Sequence, residues 1–133
     1  MIALFPCKLD PPHLGHVVTL LDIKDDYDTI ILDVLDGGPE RLITVEEAVS
    51  LIHRVLRHFP GKYEYRVHKK SYASTGGFCD LPNFDVVVSG NQALLDNMRE
   101  QGYKTRYVER VPVYRGEFMR EAYRHGLEYE MQK

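Results

Sequence analysis

The residues whose types and spacing carry most chemistry lie in the run Lys8-Leu9-Asp10-Pro11-Pro12-His13-Leu14-Gly15-His16. His13 and His16 are three apart, which puts them on one side of a helical turn. Each imidazole can donate a hydrogen bond to an anionic oxygen, and bonds to charged groups are worth roughly 1.5–3 kcal/mol each. Gly15 leaves room for an anion to approach the backbone. The first N–H groups of a helix have no partner inside it, and the helix dipole adds positive potential there. Lys8 adds a cation upstream of the turn. A run of this kind suits phosphate. The bland reading is a pair of histidines that merely cap a helix start.

For that chemistry the run must sit between a strand and a helix. Ile2-Ala3-Leu4-Phe5 predicts a buried strand ended by Pro6. From His13 to about Ile23 the apolar residues fall at helical spacing. Thr29 to Leu35 is β-branched and nearly continuous, as in a strand covered on both faces. Thr44 and Glu47 predict a capping box, with Val45, Ala48, Val49, Leu51, Ile52, Val55 and Leu56 following at helical spacing until Pro60-Gly61. Tyr63 to Val67 alternates like a strand, and residues 71–83 read as a loop. Phe84 to Val88 predicts another buried strand, stopped by Ser89-Gly90-Asn91. A helix over Gln92–Gln101, a glycine cap at Gly102, a strand over Tyr103–Val108 and a helix from Gly116 to about His125 complete the pattern. Strands alternating with helices imply an α/β fold, with a mostly parallel sheet and helices on both faces. Ligands in such sheets bind beyond the carboxyl ends of the strands, at a topological switch point. That directs attention to residues 6–16, 33–41, 89–91 and 110–120.

The chain of 133 residues is 44% hydrophobic and 28% charged, which is ordinary usage for one globular domain over residues 1–133. A net charge of −3 gives no electrostatic grip on nucleic acid or an anionic membrane. No apolar run approaches the ~20 residues that span a bilayer. The start carries no basic segment of a signal peptide, and the two cysteines, Cys7 and Cys79, fit a reducing cytoplasm. His53, His58, His68 and His125 have no spacing that suggests a metal. Asp33 and Asp36 near the end of the second strand could approach a metal or a ribose, though turn polarity also accounts for them.

Residues 8–16 resemble the signature of the HxGH nucleotidyltransferases, a superfamily of cytidylyltransferases and adenylyltransferases. Phe84 to Asn91, Gln101-Gly102-Tyr103 and Tyr114-Arg115-Gly116-Glu117-Phe118-Met119-Arg120, with Gly126 and Tyr129 beyond, resemble the archaeal-type nicotinamide-mononucleotide adenylyltransferases. The resemblance implies a single Rossmann-like domain in which a phosphomonoester attacks the α-phosphate of a triphosphate in line and pyrophosphate leaves, without a covalent intermediate. It implies that His13 and His16 contact the phosphates, that Lys8, where the family usually has Arg, holds the outer ones, and that Arg120 clamps them from the other side. Ser89, Gly90 and Asn91 would lie near the adenosine end. Phe5, Pro6, Cys7, Asp10, Gly15, Arg115 and Gly116 would complete the nucleotide site. Asp36, Arg41, Tyr72 and Phe78 are the candidates for the second substrate. Magnesium would ride on the triphosphate, since the sequence shows no dedicated cage of ligands. The expected partners are ATP or CTP and a small phosphomonoester, with no nucleic acid and no membrane; association of identical copies stays open.

The sequence departs from the family at two further places. Arg115 and Glu117 replace the motif's Ser and Thr, and no Trp is present to stack on nicotinamide. Nicotinamide mononucleotide, yielding NAD, is the first expectation. A cytidylyltransferase, a pantetheine-phosphate adenylyltransferase-like enzyme, and a non-catalytic nucleotide-binding module remain the alternatives.

Overall fold

The computed structural model describes residues 1–36, 41–68 and 81–109. Five strands form one sheet in the order β3-β2-β1-β4-β5, and every neighbouring pair is parallel. The strands are β1 (Ile2–Cys7), β2 (Thr29–Leu35), β3 (Tyr63–His68), β4 (Val86–Ser89) and β5 (Thr105–Tyr107). The helices are α1 (Leu14–Ile23), α2 (Val45–Leu56) and α3 (Gln92–Glu100). The order reverses at β1, whose neighbours β2 and β4 lead the chain to opposite sides, so the switch point falls between β1 and β4.

The two faces of the sheet have separate cores. Ala3, Phe5, Ile30, Leu32 and Val34 point to one side and pack against Val17 and Leu20 of α1 and Ala48 and Ile52 of α2. Leu4, Ile31 and Val87 point to the other and meet Leu95 and Met98 of α3. This is the alternation expected when a parallel strand is covered on both faces. Helices on both faces were the expectation, and the described residues meet it.

The helix ends follow local chemistry. Thr44 Oγ1 accepts the Glu47 backbone N–H at 3.1 Å, as the sequence predicts. The Glu47 carboxylate, however, accepts the Thr44 hydroxyl at 3.2 Å instead of the Thr44 N–H. The helix stops at Leu56, before Pro60-Gly61, because the N–H groups of His58 and Phe59 turn back tightly to Val55 O and Leu56 O. Gly102 takes φ +93° after α3, and its N–H reaches Arg99 O at 3.0 Å.

Several strand bounds differ from the sequence reading. Phe84 and Tyr103 are not in strands; their rings stack instead, with centroids 5.1 Å apart, over the core that α3 covers. Strand β1 runs through Pro6 to Cys7. Successive residues of a strand turn their amides to opposite neighbours. Met1 O accepts from Asp28 on the β2 side, and Ile2 O from Asp85 on the β4 side. Even-numbered residues of β1 therefore face β4. Pairing with β4 ends at Leu4–Val87, where Pro6 is the next residue to face β4 and has no N–H to offer, while β1 runs on beside β2 to Cys7. The expected helix over Gly116–His125 lies outside the described residues, as do residues 71–80 of the expected loop.

Candidate functional site

Where β1 and β4 part, a cavity of about 260 Å³ opens. Eight residues singled out from the sequence line it: Phe5, Pro6, Cys7 and Lys8 from the end of β1, His16 from the first turn of α1, and Ser89, Gly90 and Asn91 after β4. Sequence reasoning missed four others: Thr19, Leu35, Leu94 and Val108. Thr19 and Leu94 had a usable signal. Each lies three residues beyond a site residue, His16 or Asn91, and so shares its helix side. Leu35 and Val108 simply end or follow a strand whose carboxyl end faces the cavity.

His13 caps α1 in extended conformation, and its carbonyl accepts the His16 N–H at 3.0 Å. The His13 N–H in turn donates to His16 Nδ1 at 3.1 Å. A nitrogen that accepts a hydrogen bond carries no proton, so the neutral His16 ring holds its proton on Nε2. The two rings stack, with centroids 3.8 Å apart. Thr19 Oγ1 donates to Gly15 O at 2.8 Å, which steadies the same turn. On the opposite wall, Ser89 Oγ accepts the Asn91 N–H at 3.0 Å, and Asn91 Oδ1 caps α3 by accepting the Leu94 N–H at 3.2 Å.

Among the described residues that line the cavity, none is a carboxylate and one, Lys8, is a permanent cation. With two helix starts contributing residues, the potential there favours an anion. Burial pushes the Cys7 thiol well up, and the nearby Asp33 raises it further while Arg41 opposes. The thiol therefore stays protonated and contributes only a neutral wall. Among the described residues no group of three or more His, Cys, Asp or Glu is placed to hold a metal ion. No helix among them is long and apolar enough to cross a membrane.

Asp10 and Arg41 do not line the cavity. The Asp10 carboxylate accepts the backbone N–H of Leu42 at 2.8 Å and of Ile43 at 3.0 Å. The Leu42 bond is the main reason its carboxyl sits below the usual range; partial burial opposes it, and Ile43, Arg41 and Lys8 reinforce the lowering. Arg41 donates to four carbonyls: Lys8 O at 2.7 Å, Leu35 O at 2.8 Å, Leu9 O at 3.0 Å and Ile43 O at 3.0 Å. Between Lys8 and Asp10, Leu9 adopts φ +50°, a left-handed conformation that costs a leucine roughly 1–2 kcal/mol. Full burial of its side chain against α1 and α2 offsets that cost. The following Asp10–Pro11 peptide is cis.

Asp33 is not at a turn. It lies inside β2, fully buried, with Arg66 Nε at 3.4 Å and His68 Nδ1 at 3.8 Å. Burial raises its carboxyl, and Arg66 and His68 pull it part of the way back. His68, one of the histidines whose spacing suggests no metal, is buried as well. Asp36 follows β2, where its N–H donates to His68 O at 2.8 Å. Tyr72, Phe78, Arg115, Gly116 and Arg120 lie outside the described residues.

No family model matches the chain. Among curated proteins, nicotinamide-nucleotide adenylyltransferase 1 of Sulfolobus acidocaldarius is 30% identical over 134 aligned positions, covering 86% of this chain and 70% of that protein. Nicotinamide-nucleotide adenylyltransferase of Sulfurisphaera tokodaii is 32% identical over 114, covering 77% and 66%. Phosphopantetheine adenylyltransferase of a Roseiflexus species is 30% identical over 97, covering 71% and 58%. Among solved structures, a bifunctional NMN adenylyltransferase/ADP-ribose pyrophosphatase from Francisella tularensis, complexed with AMP and a Mn ion, superposes with a TM-score of 0.65. It is 11% identical, and the match covers 98% of this chain and 40% of that one, so it speaks to the fold.

Proposed function

The chain belongs to the nicotinamide-nucleotide adenylyltransferase family of HxGH nucleotidyltransferases, and from that membership we propose that it joins the adenylyl group of ATP to nicotinamide mononucleotide, giving NAD and pyrophosphate. A phosphate oxygen of the mononucleotide attacks the α-phosphorus in line. The bond from that phosphorus to the oxygen bridging to the β-phosphate breaks, and pyrophosphate carries the electron pair away. The protein's part is to position the reactants and to stabilise developing charge. The observation that carries this reading is the cavity at the β1–β4 switch point, walled by His16, Lys8 and two helix starts and free of carboxylates among its described lining.

In this reading Nε2 of His16 donates to the transferred phosphoryl group, His13 supports it, and Lys8 holds the outer phosphates. Ser89, Gly90 and Asn91 receive the adenosine end. Arg120, with Arg115 and Gly116, closes the triphosphate from the segment that carries the second family motif. A divalent cation, magnesium in our reading, would be carried by the triphosphate and would offset its charge. The cavity fits that mode, because its described polar groups are neutral or cationic and leave the cation's ligation to phosphate and water. Both substrates are soluble metabolites, which suits a cytoplasmic setting.

The test is pyrophosphate release from ATP with nicotinamide mononucleotide, set beside release with pantetheine phosphate and with CTP in place of ATP. Release with the mononucleotide supports the reading; release with none of these combinations overturns it. The phosphopantetheine adenylyltransferase match favours a second reading, in which pantetheine phosphate is the acceptor. The same assay decides between them.

A further inference from the structure

We propose that Arg41 is a positioning residue of the nucleotide site, which fixes Lys8 and covers the carbonyls at the strand ends without itself touching substrate. The proposal rests on the reading of Lys8 as a triphosphate ligand. Three of the four carbonyls that Arg41 grips belong to the carboxyl ends of β1 and β2: Lys8 and Leu9 after β1, and Leu35 in β2. Lys8 and Leu35 line the cavity themselves. The fourth, Ile43 O, belongs to its own loop and anchors the arginine at the start of α2. Asp10 returns the hold, taking the N–H groups of Leu42 and Ile43. Segments 8–10 and 41–43 are thus joined by bonds running both ways.

Two consequences make this more than a loop fastening. The backbone of Lys8 is held from one side and the left-handed Leu9 follows it, so the direction in which the lysine leaves the strand is set. A parallel sheet also presents carbonyl oxygens at its carboxyl edge, and three of these would bring partial negative charge toward a triphosphate. The guanidinium covers them with positive charge. Only arginine does this well, because its planar fork spreads five donors, whereas lysine has one nitrogen and cannot span three chain segments.

The test compares Arg41→Ala, Arg41→Lys, Lys8→Ala and the Arg41→Ala/Lys8→Ala double variant, by calorimetric ATP binding and by separate KM values for ATP and the acceptor. Arg41→Ala is expected to weaken ATP binding about tenfold or more, the worth of one charge-assisted hydrogen bond, while the acceptor KM holds within about twofold. Arg41→Lys should recover part of that loss. The double variant should bind ATP no more than about twofold weaker than Lys8→Ala, because the two residues act as a unit. Losses that multiply in the double variant overturn the proposal, and so does a raised acceptor KM at unchanged ATP affinity, which would make Arg41 a substrate ligand. Lys8→Ala binding ATP like the parent would overturn the reading of Lys8 itself, and this proposal with it. Should Arg41→Ala not fold, Asp10→Asn loosens the same clasp from its other half. It is expected to shift ATP affinity in the same direction, and an unchanged ATP affinity would overturn the proposal.

Discussion

His16 accepts the backbone N–H of His13 on Nδ1, at 3.1 Å, and the ring's proton is thereby directed to Nε2. One nitrogen holds the helix start and the other carries the ring's proton. The two roles separate by substitution. His16→Ala removes both. His16→Asn keeps an acceptor near Nδ1 but has nothing where Nε2 stood. Turnover is expected to fall by about 10²–10³ in each, the usual loss when one donor to a developing charge is removed. ATP affinity should change far less. Thermal melts should show His16→Asn closer to the parent than His16→Ala. Turnover retained by His16→Asn would show that Nε2 has no catalytic part.

Asp10 makes a pH prediction. Its folded carboxyl lies below the ordinary range, chiefly because the Leu42 N–H stabilises the anion. A depressed acid contributes stability above its unfolded pKa, and the contribution is lost as pH falls through the folded value. Melting temperatures of the parent and Asp10→Asn should therefore differ at neutral pH and converge below about pH 4. A gap that stays constant down to acid would mean that the charge of Asp10 adds nothing.

Cys7 lines the cavity, yet its thiol is pushed far up, first by burial. An ordinary cysteine becomes more reactive toward iodoacetamide as pH rises through about 8.5. Cys7 should not, and ATP should slow its labelling further. Site-resolved mass spectrometry reads both effects. A steep rise in labelling of Cys7 across that range would contradict the protonated thiol.

Gly102 caps α3 at φ +93°, with no atom within 4 Å of where a Cβ would stand. Its replacement therefore tests backbone conformation alone. Gly102→Ala should destabilise by about 1–2 kcal/mol in denaturant melts, and Gly102→Asn by less, since asparagine tolerates positive φ better. Equal losses would point to something other than backbone strain.

What the sequence made legible follows from the range of the forces involved. Burial and periodicity act over a few residues, so β2, α2 and the helix after His13 could be read directly. His16 in the first turn of α1 and Asn91 at the cap of α3 were legible as cavity residues for the same reason, since their chemistry and their element are local. Asp10, Arg41 and Asp33 were not. Arg41 reaches Lys8 and Leu9 across 33 and 32 positions, and Asp33 is buried by neighbours on other strands. A charged side chain in a loop or near a strand end carries no local mark of whether it meets substrate, solvent or distant backbone. Pro6 misled for a related reason: its missing N–H faces only one neighbour, so the pairing with β4 stops while the strand runs on beside β2.

That proline also bears on how the protein can be altered. Because Pro6 has nothing to donate, β1 and β4 cannot zip further toward their carboxyl ends. The gap between them is built into the main chain and does not depend on which side chains surround it. Its walls can then be rewritten, one residue at a time, to accept a different nucleotide or acceptor, while the opening itself persists. A Pro6→Ala chain would give up that insurance, and its redesigned pockets would be liable to heal shut.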